Sequence, residues 1–251
     1  MNALPSPPQP SNATPPALIE ARDLRLVHNS REILAIDHFA LHRGEVTALI
    51  GPNGAGKSSL LLTLAALQAP TGGALLWNGR PYAESRLIDL RRRMAVVFQE
   101  SLLLDTTVER NLSLPLRMRG LSQREATRRV GSWLERFGIA HLAQRGIRHL
   151  SGGEAQRASL ARAFALEPDA LFLDEPFSAL DFHTRKGLLQ ELGPTLREMK
   201  AAVLFVTHDY SELPLLASTV AVMDRGGITA CGLVEDVLGS LPMPPLWCWS
   251  E

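Results

Sequence analysis

The sequence predicts an α/β fold with a mixed, mainly parallel central sheet, a small antiparallel β subdomain and an inserted α-helical subdomain. Three observations lead to this class. A glycine-rich turn at 51–58 stands between a strand-like run and a helix-like run. From residue 154 onward, helical segments alternate with short apolar runs that suit buried parallel strands. Between these regions, from about 100 to 150, apolar residues recur at helical spacing.

The chain divides into three predicted regions. Residues 1–16 hold six prolines and lack the basic start and apolar core of a secretory signal, which predicts a disordered N-terminus. Residues 17–240 form the predicted domain. Residues 241–251 are a tail whose tryptophans, Trp247 and Trp249, receive no assigned role. The uncharged stretch from Ser58 to Gly79 is interrupted by one proline and two glycines at 70–73, so we expect no membrane span.

The antiparallel subdomain is predicted from alternating apolar residues near the start of this domain. Residues 17–27 and 32–41 suit two strands joined through a short polar turn at 28–31. A further strand is expected at 73–79, and the apolar run 94–98 suits a buried strand that ends at Gln99.

The glycine-rich turn has the G-x-x-x-x-G-K-S spacing of a phosphate-binding loop: Gly51, Pro52, Asn53, Gly54, Ala55, Gly56, Lys57 and Ser58. Its glycines permit backbone angles that other residues disfavour, and the following helix turns its positive dipole end toward an anion. The motif places Lys57 on the β- and γ-phosphates of a nucleotide, and the Ser58 hydroxyl on Mg²⁺. The alternative, a glycine-rich turn without a ligand, is disfavoured by the flanking strand and helix.

Two later strands are predicted to deliver polar side chains to the same site. The apolar run 170–173 ends in Asp174, suited to bind Mg²⁺ directly or through water, and Glu175, suited to act as general base. A surface acidic pair is the alternative. The run 203–207 ends in His208, whose imidazole could contact a γ-phosphate or orient water. A strand-end histidine alone would be incidental, so His208 gains weight only in combination.

The remaining elements continue the α/β pattern. Helices are expected at 154–166, 182–200 and 212–217. Strands at 220–223 and 228–230 flank a turn, which indicates a hairpin.

Composition narrows the class of partner. With 251 residues, 45% of them hydrophobic, the chain can bury one large core with an inserted subdomain. Lys plus Arg and Asp plus Glu both number 26, so no excess positive charge is available, and we expect no nucleic-acid partner. The cysteines, Cys231 and Cys248, are not spaced as a C-x-x-C site, which suits reduced thiols in the cytosol.

A second anion-binding helix end is predicted at Ser151, Gly152 and Gly153, which open the helix that begins near Glu154. The run Leu-Ser-Gly-Gly-Glu-Ala-Gln-Arg at 150–157 resembles the signature of the ATPase subunit of ATP-binding cassette transporters. With the phosphate loop and the strand-end residues in the right order, the resemblance covers roughly residues 17–240. It implies a P-loop NTPase that binds ATP and Mg²⁺. It also implies a head-to-tail homodimer in which the signature of one chain closes over the nucleotide of the other.

The resemblance also assigns roles to single residues. Gln99 is similar to the glutamine that senses the γ-phosphate at the metal and contacts the membrane partner, and residues 178–181 are similar to the loop that couples the two sites. Ser59 stands in the phosphate loop where threonine is commoner. His28 stands where the family has an aromatic residue that stacks on adenine, so His28 is either a weaker stacking residue or a solvated turn residue.

The resemblance implies a peripheral protein on the cytoplasmic face of the membrane, docked on separate permease subunits and served indirectly by a solute-binding protein. The segment 99–108 and the insertion after it are similar to importers of tungstate-type oxyanions. Three alternatives stay open: an importer subunit for another solute, a soluble cassette ATPase acting on ribosomes or DNA, and a small-molecule kinase. The kinase would lack the signature at 150–157.

Overall fold

The computed structural model describes residues 17–178 and 180–240. The predicted disordered region 1–16 and the tail 241–251, with its tryptophans and Cys248, lie outside the described residues. Within them, the strands in chain order are β1 (Ala17–His28), β2 (Arg31–His42), β3 (Val46–Ile50), β4 (Gly72–Trp77), β5 (Arg80–Pro81), β6 (Met94–Val97), β7 (Ala170–Asp174), β8 (Ala202–Val206), β9 (Thr219–Asp224) and β10 (Gly227–Leu233).

The α-helices, again in chain order, are α1 (Lys57–Leu64), α2 (Leu87–Arg92), α3 (Val108–Met118), α4 (Gln123–Arg136), α5 (Gly152–Ala165), α6 (Phe182–Glu198), α7 (Leu213–Leu216) and α8 (Val234–Ser240). Short 3₁₀ turns occur at Tyr82–Glu84, Ala140–Leu142, Ile147–His149 and Tyr210–Glu212.

A four-stranded antiparallel sheet has the order β2-β1-β4-β5. Its first hairpin turns through Asn29 and Ser30, whose φ angles are 49° and 60°. Two consecutive left-handed residues give a turn whose twist matches that of the strands it joins. The predicted antiparallel pair near the start of the domain is therefore confirmed, with β1 and β2 paired from Ala17 to His28.

The central sheet has six strands in the order β10-β9-β3-β8-β7-β6. Strands β3, β6, β7, β8 and β9 pair in parallel, and β10 is antiparallel to β9. In the register, Val206 of β8 lies beside both Leu49 of β3 and Asp174 of β7. The phosphate loop, the acidic pair and His208 therefore leave the sheet at one edge, the usual ligand site of an open α/β sheet.

Side chains of the central sheet alternate between two hydrophobic clusters. Leu171 and Leu173 of β7 belong to the cluster that holds α3, α4, α5 and α6, while Phe172 packs into the cluster shared with α1 and the antiparallel sheet. This alternation follows from the two-residue period of a strand buried on both faces. The mixed, mainly parallel sheet and the antiparallel subdomain predicted from the sequence are confirmed.

Helices α3 and α4, which follow β6, pack together on α5. Val108 and Leu112 of α3, Val130 of α4 and Leu160 of α5 are each at most 1% exposed and lie in one cluster. The N-caps of α3 and α4 are Thr107 and Ser122, whose hydroxyls accept hydrogen bonds from Arg110 N and Glu125 N. Hydroxyl capping of this kind stabilises a helix start by about 1 kcal/mol. The predicted helical insertion is present as α3 and α4.

Candidate functional site

The phosphate loop has a backbone that requires glycine. At Gly51, with φ 149°, a Cβ atom would lie 2.0 Å from the Met223 carbonyl oxygen of β9. Gly56 has φ 103° and is the N-cap of α1, which has no side-chain cap and no acidic residue in its first turn. The first amides of α1 are therefore left for another acceptor, and an anion is the acceptor that a helix start favours.

Lys57 lies folded over this loop. Its Nζ donates to the carbonyl oxygens of Gly51 at 2.8 Å and Pro52 at 3.0 Å, and the residue is 6% exposed. Burial lowers the pKa of Lys57, against the opposing attraction of Glu175 and Asp174. Among the described residues, the hydrogen-bond acceptors of Lys57 Nζ are these two neutral carbonyl oxygens, which charged phosphate oxygens would replace favourably.

Ser58 and Asp174 meet at the edge of the sheet. The Ser58 hydroxyl donates to Asp174 Oδ1 at 3.2 Å. Burial raises the pKa of the Asp174 carboxyl, with Glu175 adding to the rise and Ser58 and Lys57 opposing it. Hydroxyl and carboxylate oxygens are the hard ligands that Mg²⁺ prefers. The donor set therefore fits the magnesium role predicted for Ser58 and Asp174.

Glu175 and His208 form a pair beside the loop. His208 Nδ1 lies 3.2 Å from Glu175 Oε2, and their side chains are 56% and 18% exposed. Glu175 has φ 43°, a left-handed conformation that is unusual for a residue with a side chain and strained before proline. Strain of this kind is retained where the surrounding structure fixes it, and functional sites are where it concentrates.

The signature forms the start of α5. Ser151 is the N-cap: its Oγ accepts from Glu154 N at 3.3 Å, and Glu154 Oε2 accepts from Ser151 N at 2.7 Å. Ser151 and Gly152 are exposed. Gly152 lines a cleft of about 490 Å³ together with Gln99, Glu100, Ser101, Ala155 and Ser178. The structure thus places the predicted γ-phosphate sensor Gln99 next to the signature end and to the loop that begins at Ser178.

A separate cavity of about 460 Å³ opens at the phosphate loop. Its lining includes Pro52, Asn53, Gly54 and Ala55 of the loop, together with Arg31, Glu32, Ile33, Asp224, Arg225 and Gly226. His28, the predicted adenine contact, is exposed at the end of β1, and Ser59 lies in the first turn of α1.

Two groups of site residues were missed from the sequence. The first holds the segment of His208 in place: Thr207 Oγ1 donates to Glu212 Oε2 at 2.6 Å, while Arg185 of α6 contacts both Glu212 and Asp209. Burial raises the pKa of Glu212, against hydrogen bonds from Thr207 and Arg185. In the sequence, Glu212 was visible only as the first residue of the predicted helix 212–217. The second is Gln156 of α5, which was predicted only as part of the run 150–157 and not as a buried residue.

Two features are absent from the described part of the chain. Within 17–178 and 180–240, no three His, Cys, Asp or Glu residues gather as a metal-binding cluster, so Mg²⁺ would depend on Ser58, Asp174 and the bound phosphates. No α-helix in the described part of the chain combines the length and apolar character needed to cross a bilayer.

Sequence comparison places the chain among transport ATPases. Residues 34–178 match the ABC transporter family model. The chain is 36% identical over 237 residues to the methionine import ATP-binding protein MetN of Streptomyces coelicolor, covering 89% of this chain and 68% of the relative. It is 38% identical over 229 residues to MetN 2 of Pseudomonas aeruginosa, covering 88% and 68%.

Solved structures share the fold. CbiO1 from Clostridium perfringens, part of the ABC transporter complex CbiONQ, superposes with TM-score 0.81 at 29% identity over 89% of this chain and 91% of that chain. The ATP-binding cassette MJ0796, a dimer in a post-hydrolysis state with ADP and Pi, superposes with TM-score 0.79 at 25% identity over 86% and 98%. With its phosphate loop, strand-end carboxylates and signature in their places, the chain therefore belongs to the ABC transporter family as an ATP-binding, ATP-hydrolysing subunit.

Proposed function

We propose that this chain drives solute import as a head-to-tail homodimer that docks on separate permease subunits at the cytoplasmic face of the membrane. Each nucleotide is held by the phosphate loop of one copy and closed by Ser151, Gly152 and Gly153 of the other. ATP binding then brings the copies together, and hydrolysis releases them, which gives the permease two alternating states.

One observation supports the proposal of a dimer. The phosphate loop and the signature end of α5 are both anion-binding helix starts, yet they line two different cavities of the chain. A single chain needs one of them for a triphosphate. The exposed Ser151 end is therefore available to another copy, and a two-fold axis that pairs each loop with the partner's signature produces two equal sites.

The residues at the edge of the sheet have different roles in ATP hydrolysis. Lys57 and the loop amides bind the phosphates, and Ser58 with Asp174 would hold Mg²⁺, which supplies positive charge to the phosphates when bound. Glu175 is positioned to accept a proton from the attacking water. His208, 3.2 Å from Glu175, is positioned to donate to a γ-phosphate oxygen.

The segment after Gln99 supports a membrane partner. Apolar side chains of this segment and of α3 are exposed: Leu102 55%, Leu104 52%, Leu114 39% and Met118 71%. A contiguous exposed apolar patch marks an interaction surface, and we infer that these side chains form one. A permease is the partner we propose, because the named relatives act in import and CbiO1 belongs to a transporter complex.

The identity of the imported solute is a separate part of this proposal. The relatives named above are methionine import proteins, and the segment 99–108 is similar to importers of tungstate-type oxyanions. We retain an oxyanion such as tungstate as our interpretation of that segment, with methionine as the candidate that the relatives favour. These relatives do not support the alternative of a soluble ATPase that acts on ribosomes or DNA.

Mixing two inactive variants tests the shared site. Lys57→Ala disables the phosphate loop, and Ser151→Arg blocks the signature. In a head-to-tail dimer of the two, the intact loop of one chain meets the intact signature of the other. We expect a 1:1 mixture to recover about a quarter of the wild-type rate, since half the dimers are mixed and each has one good site. No recovery above the separate variants, with mixed dimers verified by two affinity tags, would show that both motifs act within one chain.

Purification of the chain from membranes of its own cells tests the partner. We expect an integral-membrane permease to co-purify, and its cargo, measured by uptake of radiolabelled methionine and tungstate, identifies the solute. Recovery of ribosomal proteins in place of a permease would contradict an import role.

A further inference from the structure

Gln156 is a polar side chain buried in the middle of the signature helix. It is 1% exposed, and both ends of its amide are engaged. Its Nε2 donates to the carbonyl oxygen of Pro176 at 2.7 Å, and its Oε1 accepts from the Ser101 hydroxyl at 2.5 Å. One side chain of α5 thus joins the segment after Gln99 to the residue that follows Glu175.

The carbonyl that Gln156 contacts belongs to the residue after a strained one. Glu175 has φ 43° immediately before Pro176, a combination that the unconstrained chain disfavours. Its backbone is held by Glu175 N donating to Val206 O at 3.0 Å, and by Ser178 donating to Glu175 O through its amide at 3.2 Å and its hydroxyl at 3.0 Å. The bond from Gln156 fixes the next carbonyl, so it completes the set that keeps Glu175 in this conformation.

The other end of Gln156 reaches a segment that is fixed by its backbone and exposes its side chains. Besides Ser101, the Leu102 carbonyl oxygen accepts from Arg162 of α5 at 2.8 Å. Leu104 is held at both its amide and its carbonyl by the side chain of Asn111, at 2.8 and 2.9 Å. The side chains of Leu102 and Leu104 meanwhile project outward, about half exposed. A partner that displaced them would move a backbone bonded to α5.

We propose that Gln156 is a positioning residue for Glu175 and that, through Ser101, it connects the catalytic carboxylate to the segment 101–104. This rests on the proposed function only in taking Glu175 as the general base and 101–104 as part of the docking surface. Loss of the Gln156 bond leaves the Pro176 carbonyl oxygen buried without this donor and allows the backbone at Pro176 and Glu175 to relax. Hydrolysis should suffer, and ATP binding should not, because the phosphate loop is untouched.

Substitution of Gln156 separates positioning from folding. Gln156→Met keeps the length and volume of the side chain but makes neither hydrogen bond. We expect kcat for Mg²⁺-ATP, measured on the full chain, to fall about tenfold with KM unchanged, since a positioned catalytic group loses rate when it shifts. Gln156→Glu still accepts from Ser101 but, when ionised, cannot donate to Pro176 O, so its kcat should fall equally. Ser159→Ala, equally buried on α5, is the control and should keep the wild-type kcat.

Two double variants test the connections. In the Glu175→Gln background, Gln156→Met should still give ATP-dependent dimers by light scattering, because only the chemical step depends on Gln156. Ser101→Ala should lower kcat less than Gln156→Met, and combining the two should lower it no further than Gln156→Met alone, since the shared bond is already lost. A further fall equal to the single effects would remove Ser101 from the connection.

The outcomes distinguish this inference from the proposed function. A wild-type kcat in folded Gln156→Met would overturn the positioning role while leaving the import ATPase intact. A raised KM with unchanged kcat would do the same, because it would place Gln156 in nucleotide binding. Failure of the wild-type chain to recover a permease from its membranes would contradict the proposed function alone, since kcat of the Gln156 variants is measured without a permease.

Discussion

Strand β7 has an aspartate at each end, and the two carboxylates are treated in opposite ways. Asp169, which immediately precedes the strand, accepts hydrogen bonds at 2.7 Å from Arg43 and from Arg93. Asp174, its last residue, accepts only the 3.2 Å bond from Ser58 among the hydrogen bonds of the described side chains. The same residue type thus has two cationic partners at one end and a neutral one at the other.

The pKa values of Asp169 and Asp174 differ in the direction that these hydrogen-bond partners predict. Burial acts to raise the pKa of Asp169, but hydrogen bonds from Arg93 and Arg43 outweigh it and leave that pKa below its usual value. At Asp174 burial prevails, and the pKa is raised. A carboxylate that is paired with cationic side chains stabilises the structure. A carboxylate without such partners is suited to bind a ligand that carries positive charge. The comparison therefore favours the carboxyl end of the sheet as the end that binds a ligand.

The largest expected effect is at Glu175. Glu175→Gln should lower ATP turnover about 10²–10⁴-fold by removing the general base, while ATP still binds and dimers accumulate. Phosphate release and light scattering measure the two consequences. Asp169→Asn, at the other end of β7, is the control and should retain turnover. Unchanged hydrolysis in Glu175→Gln would remove the general-base assignment.

Lys57→Ala should weaken ATP binding about 10- to 100-fold, because the variant loses charge-assisted bonds to the phosphates. Titration calorimetry with ATP gives the affinity. Arg43→Ala removes a cation from the opposite end and should leave that affinity as it is. Equal losses in the two variants would mean that the ends of the sheet do not differ in the way proposed.

The two aspartates should respond oppositely in stability. Without nucleotide at neutral pH, Asp169→Asn should lower the free energy of unfolding by about 1 kcal/mol, since its partners are partly exposed arginines. Asp174→Asn should raise it by up to about 1 kcal/mol by removing an uncompensated charge, while abolishing Mg²⁺-dependent turnover. Urea denaturation measures both. A loss of stability in Asp174→Asn would show that its charge is already compensated.

Acidification sharpens the same comparison. The raised pKa of Asp174 means that the folded state binds its proton first, so the advantage of Asp174→Asn should shrink as pH falls through that raised pKa toward 3.8. The stability supplied by Asp169 is present above 3.8 and is lost only as pH falls below it through the lowered pKa. Denaturation curves between neutral pH and pH 3 would therefore separate the two residues.

The smallest effect is expected at His28, on the antiparallel sheet. Aromatic stacking on a base is worth roughly 1–3 kcal/mol, and imidazole supplies part of it, so His28→Tyr should tighten ATP about 3- to 10-fold. Tripolyphosphate, which has no base, should bind both forms equally. An unchanged ATP affinity would favour a solvated turn residue at position 28.

Much of this site was predictable because its parts are local. The phosphate loop, Asp174 with Glu175, and His208 each follow a buried strand, and the ends of parallel strands meet at one edge. The predicted strands and the hairpin of β9 and β10 are present in the structure. The roles of single residues, such as Gln99 and His28, stay predictions.

What escaped prediction depends on contacts between distant segments or on weak local signals. Helix α2 has six residues and no side-chain cap, so it shows neither a clear period nor a start signal. Gln156 reaches Ser101 and Pro176, which lie 55 and 20 residues away in the chain. The role proposed for it depends on burial and on the strained backbone of Glu175, which sequence spacing does not reveal.

The cap of α5 has a consequence for the choice of residue at position 151. Because the Ser151 oxygen already accepts the amide of Glu154, the single hydroxyl hydrogen is left over and can be given to an outside acceptor. Aspartate would begin the helix equally well, but it would face an incoming nucleotide with a like charge and no hydrogen to offer. Serine combines a stable helix start with a spare donor on a side chain too short to obstruct a second molecule's approach.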